Sequence, residues 1–107
     1  MAALLLTLAV SMGAQQAPPL GRSIYGTVLS ALNQPIASAI VVLKNMKSNV
    51  IHNVITDERG AYAFHDLQPG ASYQVYAEWQ GHRSKTRTDS QYNPNPTVRL
   101  DLTIPVS

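Results

Sequence analysis

Beyond residue 22 apolar and polar residues alternate with a period of two along most of the chain, the spacing that sets one side of an extended segment on a core and the other in water. Ser23–Ser30 puts Ile24, Gly26 and Val28 on one side and Tyr25, Thr27 and Leu29 on the other, and its glycine marks a bulge or a close backbone approach. Ala37–Lys44 is apolar on both sides, with a β-branched content that favours a strand over a helix. A polar stretch, Lys44–Asn49, reads as a hairpin loop, and Val50–Thr56 as the strand after it. Asp57, Glu58, Arg59 and Gly60 then turn the chain, with Gly60 free to take a positive φ. Ala61–Leu67 points Tyr62 and Phe64 one way, and Gln68-Pro69-Gly70 carries the residues of a type II turn. Tyr73–Trp79 sets Tyr73, Val75, Ala77 and Trp79 on one face against Gln74, Tyr76 and Glu78 on the other. After a turn at Gln80–His82 come two more alternating segments, Arg83–Thr88 and Val98–Ile104.

Seven short strands separated by Gly and Pro turns, with no helical period among them, predict an all-β domain: a seven-stranded Greek-key β-sandwich. Parallel pairing would call for helical crossovers that the sequence does not provide, so the strands are expected to pair antiparallel. The core is expected from Val28, Val41, Leu43, Val54, Tyr62, Phe64, Tyr73, Val75, Leu100 and Leu102.

The start of the chain has a different character. Ala2–Met12 is almost wholly apolar or small and leads into Gly13-Ala14-Gln15-Gln16, which reads as an export signal over residues 1–14 with cleavage after Ala14 or Ala17. It is short for a bilayer span, so no stable membrane segment is expected once it is removed. Residues 15–22, with Pro18 and Pro19, form a flexible lead-in, and the sandwich occupies 23–107.

Charge and cysteine content narrow the function. Eight Lys or Arg against six Asp or Glu give a net charge of +2, too weak and too dispersed to track a nucleic acid backbone. The absence of cysteine excludes a disulfide framework, a thiolate nucleophile, thiolate zinc sites and a cysteine-linked lipid. An exported chain without disulfides fits a bacterial periplasm or exterior, stabilised by packing or by a partner; monomer and weak homodimer are both open.

Turn and core residues together resemble the carboxypeptidase regulatory-like domain, a prealbumin-like sandwich. The matching positions are Gly26 and Val28, Pro35 and Ile36, then Ala39, Val41 and Leu43. They continue through Thr56, Asp57, Gly60, Tyr62, Phe64 and Leu67 to Pro69, Gly70, Tyr73, Val75 and Ala77, with Gly81 beyond. The similarity spans roughly Ser23 to Arg83; Ser30 and Ala31 replace the acidic and turn residues often found after the first strand. The resemblance implies an accessory, non-catalytic module, as beside the catalytic domain of some metallocarboxypeptidases.

Candidate chemistry is sparse. His52, His65 and His82 have no carboxylate at a ligand spacing and read as rim or surface residues, so neither metal nor cofactor is expected. The C-terminal Ile104-Pro105-Val106-Ser107 lacks the Tyr-Arg-Gly-Ser ending of the purine-catabolic hydrolase that shares the prealbumin-like fold. No nucleophile elbow is present, and Asp57 with Glu58 reads as turn composition rather than a glycosidase pair. Two features suit an interaction surface. Arg83, Lys85 and Arg87 alternate onto one strand face, where they protect an edge or attract an acidic surface or anionic glycan. Tyr25, Tyr76 and Tyr92 fall outside the expected core and Trp79 ends a core-facing run; an exposed Tyr and Trp group, Tyr76 with Trp79 foremost, can stack on a sugar ring, although Trp79 is better suited to plug the core. The expected function is contact with an envelope or extracellular protein; carbohydrate binding is the alternative.

Overall fold

The computed structural model describes residues 21–107. Nine strands follow one another: β1 (Arg22–Ser30), β2 (Ile40–Asn45), β3 (Ile51–Ile55), β4 (Ala61–Leu67), β5 (Tyr73–Trp79), β6 (His82–Arg83), β7 (Arg87–Asp89), β8 (Thr97–Arg99) and β9 (Leu102–Ile104). One sheet has the order β4-β1-β8, with β9 continuing beside β1; the other runs β3-β2-β5-β6, with β7 also beside β5. The two sheets enclose a single apolar core whose most deeply buried large side chains are Ile24, Val28, Val41, Leu43, Val75, Leu102 and Ile104. Nine of the ten expected core residues are buried there, and Val54 packs against it half-buried. The proposed export leader, residues 1–14, and the lead-in up to residue 20 lie outside the described residues.

The two strands beyond the expected seven arise from breaks in the last two segments. Arg83–Thr88 divides into β6 and β7, and Val98–Ile104 into β8 and β9. The second break has a local cause. A Cβ at Gly26 would stand 2.1 Å from the Leu100 carbonyl oxygen, so the chain crosses β1 where a side chain is missing. The Leu100 N–H donates to the Tyr25 carbonyl at 2.8 Å, and Asp101 Oδ1 accepts from the Thr27 N–H at 2.9 Å. The Tyr62 hydroxyl donates to the Leu100 carbonyl, and burial, reinforced by the Asp101 charge, pushes its pKa far above the usual phenol range.

Both halves of that last segment run parallel to β1, Ser23 beside Thr97 and Val28 beside Leu102. The expectation of purely antiparallel pairing is thereby corrected. A helix is one way to return a chain parallel to an earlier strand; here the chain returns through the whole second sheet instead.

Arg22, expected in the flexible lead-in, opens β1 and is buried. Its Nη2 lies 2.6 Å from Asp89 Oδ2, with side-chain exposures of 6% and 1%. It also donates to the carbonyls of Ala71 and Ser90, while Asn93 Nδ2 donates to Asp89 Oδ1. This ion pair joins the first strand of one sheet to β7 of the other.

Turn chemistry follows the sequence in two places and departs from it in a third. Gly60 has φ 73°, and a Cβ there would also meet the Val28 carbonyl oxygen at 2.7 Å. Gln80 and Gly81 both have positive φ and close the two-residue β5–β6 hairpin, Trp79 opposite His82, as a type I′ turn requires. Pro69-Gly70 does turn, but Gly70 lacks the positive φ of a type II turn. The left-handed residue of that region is Asp66, φ 58°, which interrupts the end of β4.

Two stability predictions follow from these contacts. Arg22→Met leaves the Asp89 carboxylate buried without its partner and lowers the unfolding free energy in urea by about 3–5 kcal/mol, whereas Arg22→Met/Asp89→Leu recovers most of that loss; a single variant within about 1 kcal/mol of the parent would contradict the assignment. At the turn, Asp57 accepts from the backbone N–H groups of Ala61 and Arg59, and these bonds, with the Arg59 charge adding, hold its carboxyl below the ordinary 3.8. A depressed folded-state pKa contributes stability above the unfolded value and loses it as pH falls through the folded one. Asp57→Asn therefore melts below the parent at pH 7, and the gap narrows below pH 3.8; a gap independent of pH in thermal melts would refute this.

Candidate interaction surface

Arg83, Lys85 and Arg87 do not share a strand face as their spacing suggested. Arg83 sits opposite Glu78, but Arg87 sits opposite Val75, so the register slips by one residue between β6 and β7. A one-residue slip exchanges faces. Its cause is Ser84, buried between the two strands, where its N–H donates to the Ala77 carbonyl and its Oγ accepts from the Ala77 N–H. Arg83 therefore lies on the outer face, while Arg87 bends around the flank of the sandwich and donates to the Asp101 carbonyl at 3.0 Å. By this different route all three cations line one open groove of about 450 Å³, floored by Leu102, Thr103 and Pro105. Lys85 is exposed and forms no ion pair among the described residues.

The aromatic candidates separate. Tyr76 is on the outer face of β5, opposite Val42, and the Arg83 guanidinium lies over its ring, 4.3 Å from the centroid. Glu78 holds that guanidinium at 3.1 Å. Trp79 alternates onto the inner face and packs half-buried against the core. The two rings do not form one platform.

The opposite flank, between β3 and β4, opens into a cleft of about 560 Å³ that His52 and His65 both line. These strands lie in different sheets, so Asp57–Gly60 is a connection between sheets and not the turn of a hairpin. His65 Nδ1 is 3.3 Å from Ser23 Oγ. No group of three or more His, Cys, Asp or Glu is placed to hold a metal among the described residues, and no described helix is long and apolar enough to cross a membrane.

An exposed apolar strip went unrecognised in the sequence. On the outer face of the five-stranded sheet Ile55 lies beside Ile40, with Ile51 further along β3, and these are 69%, 44% and 57% exposed. Val42 is buried on the same face, outside the core cluster. The apolar character of Ala37–Lys44 on both sides was its signal.

Comparison with known proteins gives a family and a fold. The family model described as the carboxypeptidase regulatory-like domain matches residues 23–105. No curated protein matches the sequence. Among solved structures, the major pilin subunit BcpA of Bacillus cereus superimposes with a TM-score of 0.64 at 18% identity, over 83% of this chain and 31% of the pilin. The shaft pilin SpaA of Lactobacillus rhamnosus GG gives 0.58 at 8% identity, over 80% and 47%. Catechol 1,2-dioxygenase from an Acinetobacter species gives 0.55 at 14%, over 82% and 53%. The chain thus spans about a third to a half of these proteins, and structural subunits and an enzyme alike contain its fold, so the fold by itself chooses no function.

The Arg83 guanidinium lies over Tyr76, and Trp79 packs half-buried against the core, so a sugar would meet the two rings separately. Titration with soluble glucan or peptidoglycan fragments is expected to leave Trp79 emission unchanged; a saturable shift would reinstate a glycan site.

Proposed function

The chain belongs to the carboxypeptidase regulatory-like domain family, and on that premise we propose that it is an exported β-sandwich module whose task is protein contact at the cell envelope or outside it. The family is regulatory in type and non-catalytic, and the domain is not an enzyme. The side-by-side first and last strands and the passage of the chain from sheet to sheet support a Greek-key, prealbumin-like arrangement. Export is supported by the apolar run Ala2–Met12 leading into Gly13-Ala14, and the absence of cysteine favours a bacterial periplasm or exterior as its destination.

The observation that carries the reading is the basic groove. Arg83, Lys85 and Arg87 converge on it, and the one carboxylate on its wall, Asp101, is already engaged by Arg99 and the Thr27 N–H. With Arg83 already paired to Glu78, the charge of Lys85 and Arg87 beside the exposed Pro105 suits an acidic segment of a partner protein, the charge steering its approach. The sugar-binding reading has less support, since Tyr76 and Trp79 do not form one platform.

Fluorescence anisotropy with a labelled Asp/Glu-rich peptide tests this. Binding is expected at low ionic strength and weakens as salt screens it. Lys85→Glu, at an exposed position without a partner, is expected to reduce affinity at least about fivefold. Equal binding by the parent and this variant, or no binding by either, would remove the groove as the contact surface.

A further inference from the structure

The sandwich has four sheet edges, and three carry features that discourage another strand from adding to them. β4 carries the left-handed Asp66 just before its last residue, Leu67. The β8–β9 edge carries Arg99 and Asp101 between Pro96 and Pro105, and the β6–β7 edge carries Arg83, Lys85 and Arg87. β3 is different. Among the described residues it pairs only with β2, and Val50–Thr56 contains no Asp, Glu, Lys, Arg or Pro and no left-handed residue.

The backbone of β3 is also presented in a usable way. Antiparallel neighbours bond at alternate residues. The Asn45 N–H donates to the Val50 carbonyl at one end of the β2–β3 pair and the Thr56 N–H to the Ala39 carbonyl at the other, so the even-numbered residues of β3 face β2. The N–H and C=O groups of Ile51, Asn53 and Ile55 consequently face away from the sheet, and the side chains of these residues lie on its outer face with Ile40.

We propose that this edge is a homodimer interface, in which β3 of two copies pairs antiparallel about a two-fold axis through Asn53. The sequence of the strand is self-matching in that register. Ile51 of each copy meets Ile55 of the other, and the two Asn53 amides meet on the axis, each able to donate and accept. The three facing pairs are those with outward backbone groups, giving about six inter-chain N–H···O=C bonds. The same register carries the β2–β3 loop of one copy, which holds Lys47, alongside the β3–β4 turn of the other, where Asp57, Glu58 and Arg59 lie, so the match rests on the strand itself and not on charge. The arrangement is isologous, so the Ile51–Ile55 encounter occurs twice, once on each side of the axis.

A five-residue edge with a strip of isoleucines is small for an interface, and the association is accordingly weak, in the micromolar range. It is independent of the basic groove, which lies at the opposite edge of the five-stranded sheet.

Sedimentation velocity on the purified chain between about 1 μM and about 500 μM is expected to show reversible conversion of monomer to dimer. Asn53→Lys puts like charges face to face on the axis at an exposed position and is expected to weaken dimerisation at least about tenfold, with an unchanged circular dichroism spectrum and melting temperature. Ile51→Glu/Ile55→Lys sets opposite charges against each other in this register alone; its dimer is expected to persist at low salt and dissociate at high salt. A parent chain that stays monomeric throughout, or an Asn53→Lys variant that associates like the parent, would overturn the proposal. Acidic-peptide binding measured on the same samples reports the groove separately.

Discussion

Gly26 has no side chain, and the Leu100 carbonyl occupies the space one would take. From that crossing the layout of the four-stranded sheet follows. With the chain laid against β1 at this point, Leu100 bonds to Tyr25, Asp101 reaches the Thr27 N–H, and Tyr62 bonds the same Leu100 carbonyl from β4. β8 and β9 can then lie on the same strand on either side of the crossing, filling the core with Leu100, Leu102 and Ile104. Tyr62 closes the layer, its ring edge-on to Phe64 with centroids 5.9 Å apart. A side chain at position 26 would force the backbone away and separate these contacts together.

The Arg22–Asp89 pair contributes something different from apolar packing. Desolvation of both charges offsets much of their attraction, and Arg22 Nε has no partner among the described residues. Its structural effect lies in position. It ties the beginning of β1 to the last short strand of the opposite sheet, close to Asn93 and the long Asp89–Thr97 segment, and leaves that segment anchored at both ends. Apart from Lys44 in β2 and Glu78 in β5, the other charged residues of the sandwich lie at edges and turns, and the edge strand β3 carries none.

Much of this was legible from alternation alone. Tyr73–Trp79 and Ala61–Leu67 were delimited correctly because each has one clean apolar face and ends in turn residues. The family resemblance rested on the same core and turn positions and is confirmed by the match over residues 23–105. Where reading failed, the deciding contact was distant in the chain. Nothing beside Arg22 announces Asp89, 67 residues away. Nothing within Arg83–Thr88 announces that Ser84 will be drawn inward by Ala77 and turn Arg87 to the other face. The two breaks that raised the strand number to nine have such causes, as does the parallel return of the last segment to β1. The candidate surface was therefore legible as residues but not as an arrangement: Arg83, Lys85 and Arg87 meet in a groove, while Tyr76 and Trp79 part.

The parallel pairing of β1 with β9 also has a mechanical meaning. Arg22 begins β1 at one end of the sandwich, and Ile104 finishes β9 at the other, because the two strands run in the same direction. Tension applied between those two residues pulls the strands lengthwise past one another. The load falls on the whole row of hydrogen bonds at once, instead of opening them singly as a peeling force would. Resistance to such a pull is governed by the rate of crossing the unfolding barrier rather than by equilibrium stability. A pull along the line from the start of the first strand to the end of the last therefore meets the sandwich in shear.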